Sequence, residues 1–475
     1  MIIFDACLNG GRRYRGIAAS LGLGLLLTLV ALCTGTAYAA ESSSLSTEPI
    51  PMATEDQLPK RVPPLITIGP DEFLGRGNID EGILLPTGAI WQPALWVYGD
   101  IRTSVNFVEP GDKREEIQEI VGRTNLNFNL KLSGTERLFL QIQPINSKGA
   151  FTGYTINPEN EDFEEQFNLD LTALFFEGDF GEIFPNIDPE DRDALDIGFS
   201  VGRQLIFFQE GIMFNDVIDS IGITRDTVIF PGVIDTRFTG LFGWGDLNRD
   251  DNAIDRDAKM LGIFTESDTP DSTVNFDFAY TFADKDNGGD GFYYGAAATQ
   301  RIRGINTSFR INRSEAINQE AAAVSSGTLL FAELSMTPVP TNNVAYLDLF
   351  WGIDEYASAA RGETAGGPLG RTGLLFASAG LGRYPAALGN RADDSFGGAL
   401  GYQMFFNHDL TQLVTEFGVI ENSKNKSIVE EGVGFGLRFL HSFSGRYIVQ
   451  TDGFAAYREE RKQTLGLRTE FRVQF

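Results

Sequence analysis

The chain closes with Leu465-Gly466-Leu467-Arg468-Thr469-Glu470-Phe471-Arg472-Val473-Gln474-Phe475, and this stretch decides the fold class. In an extended segment successive side chains point to opposite faces. Leu465, Leu467, Phe471, Val473 and Phe475 therefore share one face, and Arg468, Glu470, Arg472 and Gln474 share the other. A soluble sandwich would turn the charges out and the apolar residues in. A barrel in lipid does the reverse, with charges around a watery lumen.

The two preceding segments repeat the pattern. Val433, Phe435, Leu437 and Phe439 oppose Gly434, Gly436 and Arg438, while Tyr447, Val449, Ala455 and Tyr457 oppose Arg446, Gln450, Asp452 and Arg458. Each apolar face begins or ends in an aromatic, where an amphipathic ring meets the headgroup level. Toward the N-terminus the same period-two texture reaches back to Ala94. Leu95, Val97, Ile101, Val105 and Phe107 lie on one face there, and Tyr98, Asp100, Arg102, Ser104 and Asn106 on the other. Leu126 to Leu132 and Arg137 to Gln143 flank the turn Ser133-Gly134-Thr135-Glu136 as a hairpin. Further segments run from 169–179 to 463–475, one of them at 371–380, for nineteen in all. Single-chain barrels favour even strand numbers, so the expectation is an all-β, transmembrane antiparallel β-barrel of about 18 strands, with 16 as the second choice.

Residues 1–40 read as a signal peptide. Arg12, Arg13 and Arg15 precede the apolar run Ile17 to Cys33, and Ala37-Tyr38-Ala39 supplies a small-residue cleavage site. Cys7 and Cys33, the chain's two cysteines, both fall within it, so the mature chain holds no disulfide. Residues 41–93, punctuated by Pro63-Pro64 and Gly69-Pro70-Asp71, read as a periplasmic extension or a plug in the barrel mouth. Residues 94–475 are the barrel.

Sixty-five acidic against 38 basic residues give a net charge of −27, which excludes nucleic acid as a partner. The acids cluster at Asp112 to Glu119, Glu159 to Glu165, Asp188 to Asp193 and Asp246 to Asp257. They suit solvated loops, or cation bridging to the phosphates of outer-membrane lipid and lipopolysaccharide. Asp246 to Asp257 has the length of a calcium loop, but Asp251 stands where the turn wants glycine and no Glu closes it, so no metal is expected. No cofactor is expected either. His408 and His441 are the only histidines, and Ser442, adjacent to His441, would point to the opposite face, so the chain is not expected to be an enzyme.

The strand Leu465 to Phe475 resembles the terminal strand of bacterial outer-membrane proteins. That resemblance implies that Phe471, Val473 and Phe475 are read by the barrel-assembly machinery. The hairpin Leu126 to Pro144, the stretch Phe175-Phe176-Glu177-Gly178-Asp179-Phe180-Gly181-Glu182, and Val201-Gly202-Arg203-Gln204 with Phe208-Gln209-Glu210-Gly211 together resemble porins, an alginate-export-like large barrel being the nearest type. The likeness implies passive diffusion of small hydrophilic solutes or ions through the barrel. The alternatives are a plugged structural or adhesive barrel and a barrel hydrolase.

Arg102, Arg310, Arg438, Arg446, Arg458, Arg468 and Arg472, with Glu470, fall on the expected inner face. They would either set ion selectivity through a field across the pore or pair to stiffen the wall. Strict alternation sends Arg203 toward lipid, so a bulge at Gly202 is expected to turn it into the pore, with Arg225 as a further lining residue and possible partner. Leu205 to Gly222 is expected to be a loop, either outside or folded inward.

Overall fold

The computed structural model describes residues 62–69, 82–111, 115–157, 160–187, 195–318, 320–424 and 429–475. The expected signal peptide and the acidic run 188–193 lie outside these. Eighteen of the described strands form one ring. They are β1 Ala94–Glu109, β2 Ile117–Lys131, β3 Arg137–Ile142, β4 Leu171–Asp179, β5 Gly198–Phe208 and β6 Phe214–Arg225. Next come β7 Asp235–Trp244, β8 Lys259–Asp268, β9 Ser272–Phe282, β10 Gly291–Ile302, β11 Ile305–Ala316 and β12 Gly327–Met336. The ring ends with β13 Val344–Asp354, β14 Ser395–Phe406, β15 Thr411–Asn422, β16 Gly432–Ser442, β17 Tyr447–Arg458 and β18 Lys462–Gln474. Each strand pairs antiparallel with its neighbour in sequence, and β18 pairs with β1 from Leu465↔Glu109 to Gln474↔Asp100, which closes the barrel.

Alternation explains which side faces what. On β18 Leu467 and Phe471 are exposed while Thr464, Gly466, Arg468 and Glu470 are buried. Phe276, Phe278, Phe309, Ile311, Phe417 and Phe435 continue the apolar exterior around the ring. A continuous belt of this kind is far larger than a soluble monomer tolerates, and lipid is its natural solvent. Among the described residues no helix is long and apolar enough to cross a membrane; the crossing is made by strands.

The two ends of the barrel differ. One carries most of the tight turns, such as Arg303-Gly304 between β10 and β11, together with Phe475 and the start of β1. The other carries the longer connections, 143–170, 245–258 and 355–394. At the turn end a short strand Ile66–Ile68 adds to the edge of β1, and the hairpin formed by Ile83–Leu84 and Ile90–Trp91 meets the β4–β5 connection through Asn186.

Two expected segments are corrected. Leu205 to Gly222 is not a loop: it is the upper part of β5 and most of β6 around the tight turn Gln209–Met213. The segment 371–380 is not a wall strand. It belongs to the connection 355–394, which folds into the lumen, so β13 pairs directly with β14 and the nineteenth segment drops out of the ring.

Candidate functional site: a charged lumen narrowed by an inserted loop

The inserted loop rests on a wall that the sequence has emptied of side chains. Gly418, Gly434 and Gly436 present no side chain on the inner face, and a Cβ at each would meet Leu375 at 2.9 to 3.4 Å. Leu375, Phe376 and Leu388 from the loop are buried there with Ile420, Phe454 and Ala456 from the wall. At its first turn the loop crosses to the far side, where Ala360–Arg361 pairs in parallel with Phe214–Asn215 of β6.

Polar anchors fix this crossing. Arg361 is buried and donates to the carbonyls of Gly211 at 2.7 Å, Gly366 at 2.7 Å and Gly367 at 2.8 Å. Burial pulls its pKa below the ordinary arginine value. Asp250, from the 245–258 loop, accepts from the Ser358 amide at 2.7 Å and pairs with Arg391 at 2.8 Å. On β15, Glu416 accepts from the amides of Leu374 and Leu375, both at 2.9 Å, and from the Tyr346 hydroxyl at 2.5 Å. Tyr346 reaches it across Gly401, which lies between the two in the cross-strand row. On β2, Glu119 accepts from the Arg383 amide and guanidinium at 2.5 and 3.0 Å. A buried carboxylate needs such partners, and each pair fixes one point of the loop.

The wall formed by β16, β17, β18, β1 and β2 is basic. Arg102 pairs with Glu470 at 2.7 Å, Arg438 with Asp452 at 2.6 Å, and Arg468 with Asp452 at 2.7 Å and also with Glu470. Arg472 stands 3.4 Å from Glu470. Two carboxylates are thus shared among four guanidinium groups. Arg472, Arg102 and Arg123 lie side by side in one cross-strand row. Arg123 bonds Asn125 and the Gly380 carbonyl of the loop. Like charges directly opposite one another destabilise a sheet, so stiffening alone does not explain this row. The Arg438 and Arg472 side chains keep about a third of their surface exposed, whereas Arg468 and Glu470 are buried. Leu374, Ala377 and Tyr384 of the loop form a crevice with Arg438 and Asp452.

The remaining expected residues divide. Arg310 faces inward from β11 and is buried near Glu210 and Glu333, at 3.6 and 3.8 Å. Arg458 faces inward at the loop end, buried against Glu430 at 2.8 Å. Arg446 lies in the β16–β17 turn, where its carbonyl accepts from Gln474, and is not on a strand. Arg203 does not enter the pore. The β5–β6 register runs unbroken through Gly202, which leaves Arg203 on the outward face with Leu205 and Phe207. Its charge is met by Asp219 at 3.0 Å and by Asp246. Arg225 has the same outward parity and donates to the Asp196 carbonyl at the turn end. Neither lines the lumen. Arg123 falls outside the segment legible in the sequence, which begins at Leu126, whereas β2 already starts at Ile117.

The described residues weighed for other chemistry have other partners. His441 shares a 2.8 Å hydrogen bond with Thr411, and Ser442 Oγ accepts from the Gly445 amide, so the two are not a nucleophile and base. In the would-be calcium loop Asp246, Asp250 and Asp255 are spent on Arg203, Arg391 and Arg249. Among the described residues no cluster of three or more His, Cys, Asp or Glu side chains is placed to hold a metal.

The shape has solved counterparts. The structure of Pseudomonas aeruginosa OccK2 (OpdF) in complex with glucuronate superposes with a TM-score of 0.51 at 10% identity, covering 80% of this chain and 98% of that one. Pseudomonas aeruginosa OccK1 (OpdK) gives 0.50 at 10% identity with the same coverage. This is the fold of an outer-membrane porin. Such barrels keep short turns on the periplasmic side and long loops outside, so the inserted loop enters from the extracellular end. No family model and no curated protein matches the sequence, and the alginate-export-like resemblance rests mostly on the short Gly202-Arg203-Gln204 strand end.

Proposed function

We propose that this chain is an outer-membrane channel through which small hydrophilic solutes and ions diffuse passively, with anions favoured where the inserted loop narrows the lumen. The row Arg472–Arg102–Arg123 carries the reading. A sheet accepts three adjacent guanidinium groups at a cost in stability, and a passing anion offsets that cost. The protein acts as a channel and not as an enzyme. The bound glucuronate of OccK2 is a small carboxylate, the kind of solute such a wall would attract. Export by residues 1–40 and recognition of Phe471, Val473 and Phe475 by the assembly machinery complete the reading. N-terminal sequencing of the mature protein is expected to begin near Ala40 or Glu41.

Conductance tests the proposal. Purified protein added to a planar bilayer is expected to give discrete current steps, and liposomes containing it should swell in small sugars and carboxylates. A barrel that folds yet neither conducts nor permits swelling would be the plugged structural barrel instead.

A further inference from the structure

The acidic side of the lumen contains a carboxyl group with no assigned work. Asp348 projects inward from β13 and is only 8% exposed, and its side chain makes no hydrogen bond or ion pair among the described residues. Its neighbouring carboxylates are all occupied. Glu333 meets Arg371 at 2.9 Å, and Glu416 holds the loop amides. In the cross-strand row Asp348 lies between Glu333, a like charge, and Ala399, a methyl group. Arg371, the cation of this neighbourhood, is already shared between Glu210 and Glu333, both at 2.9 Å.

An uncompensated carboxylate beside another carboxylate is costly, and an asparagine of the same shape would relieve it. Such a residue on a lumen wall suits a counter-charge that arrives from outside. A divalent cation would need several oxygen ligands, and the nearby carboxylates are engaged. A single unpaired carboxylate fits a singly charged ammonium group, which asks for one anionic partner.

We propose that Asp348 is a binding station for the ammonium group of passing solutes, so that the channel recognises both signs of charge: carboxylates along the arginine wall and an ammonium at Asp348. This rests on the channel reading above. Propylammonium chloride and sodium propionate serve as probes in planar bilayers at about 0.1 M salt, where a screening length near 10 Å preserves local charge effects. Propylammonium is expected to interrupt the wild-type current, and Asp348→Asn to weaken that block by at least about tenfold while leaving the propionate block unchanged. Asp348→Asn should also resist heat at least as well as the wild type, because it removes a buried carboxyl group that has no partner. Equal propylammonium block in both proteins, equal weakening of both probes, or a less heat-resistant variant would each overturn the station while leaving the channel intact. Absence of conductance in the wild type would instead overturn the channel reading beneath it.

Discussion

Glu470 is the residue on which the basic wall depends. It is buried among Arg102, Arg468 and Arg472, and its removal leaves those guanidinium groups facing one another. Breaking a buried pair by deleting one partner typically costs about 3–5 kcal/mol. Glu470→Gln is therefore expected to lower the urea midpoint of the folded barrel and to raise its anion preference. A variant of unchanged stability would mean that the cluster is solvated and weak. Arg203 shows how far single residues can be read from sequence. Alternation alone puts it on the lipid side, and the structure keeps it there with no bulge at Gly202. Outward charge at the midplane costs roughly 2–4 kcal/mol, but less near the interface, and Asp219 and Asp246 neutralise it. Asp219 faces it only through the β5–β6 register and Asp246 arrives from a separate loop, so neither partner was visible in the local pattern.

At the scale of elements, β16, β17 and β18 were readable because each has one wet and one apolar face, and the alternation survives into the structure. The inserted loop was not. Its Leu374, Leu375 and Phe376 look like part of a strand, yet they are apolar because they pack on glycines inside the lumen rather than on lipid. The signals that could have marked it were its length and its glycines, since long irregular connections are commonly functional. Gly373 gives a sharp test. It sits at φ 152°, and a Cβ there would lie 2.2 Å from the Glu416 carboxylate. Gly373→Val is expected to unseat the loop from its two amide bonds and produce frequent brief closures or openings in single-channel records. Steady wild-type traces would show that Glu416 is not an anchor. Replacing residues 363–388 by a short Gly-Ser linker should raise single-channel conductance severalfold with the barrel still folded, and unchanged conductance would place the narrowest section elsewhere.

For the whole molecule two charge distributions compete. The chain is strongly acidic, at −27, but several of its carboxylates are bonded to protein partners, and others lie in exposed connections. Screening at physiological salt acts over about 8 Å, so distant loop charges count for little at the narrow section, where the arginines are in reach of the solute. Eighteen strands closing at β18–β1 explain why this acidic chain can present a basic wall to the lumen: the fold sorts charge by face, and composition does not report that sorting. The reversal potential across a tenfold KCl gradient, measured for the wild type and for Arg102→Gln/Arg123→Gln/Arg472→Gln, tests this most directly. Preference for chloride in the wild type, lost in the triple variant, is the predicted result. A cation-preferring wild type, or a chloride preference that survives the three substitutions, would contradict it.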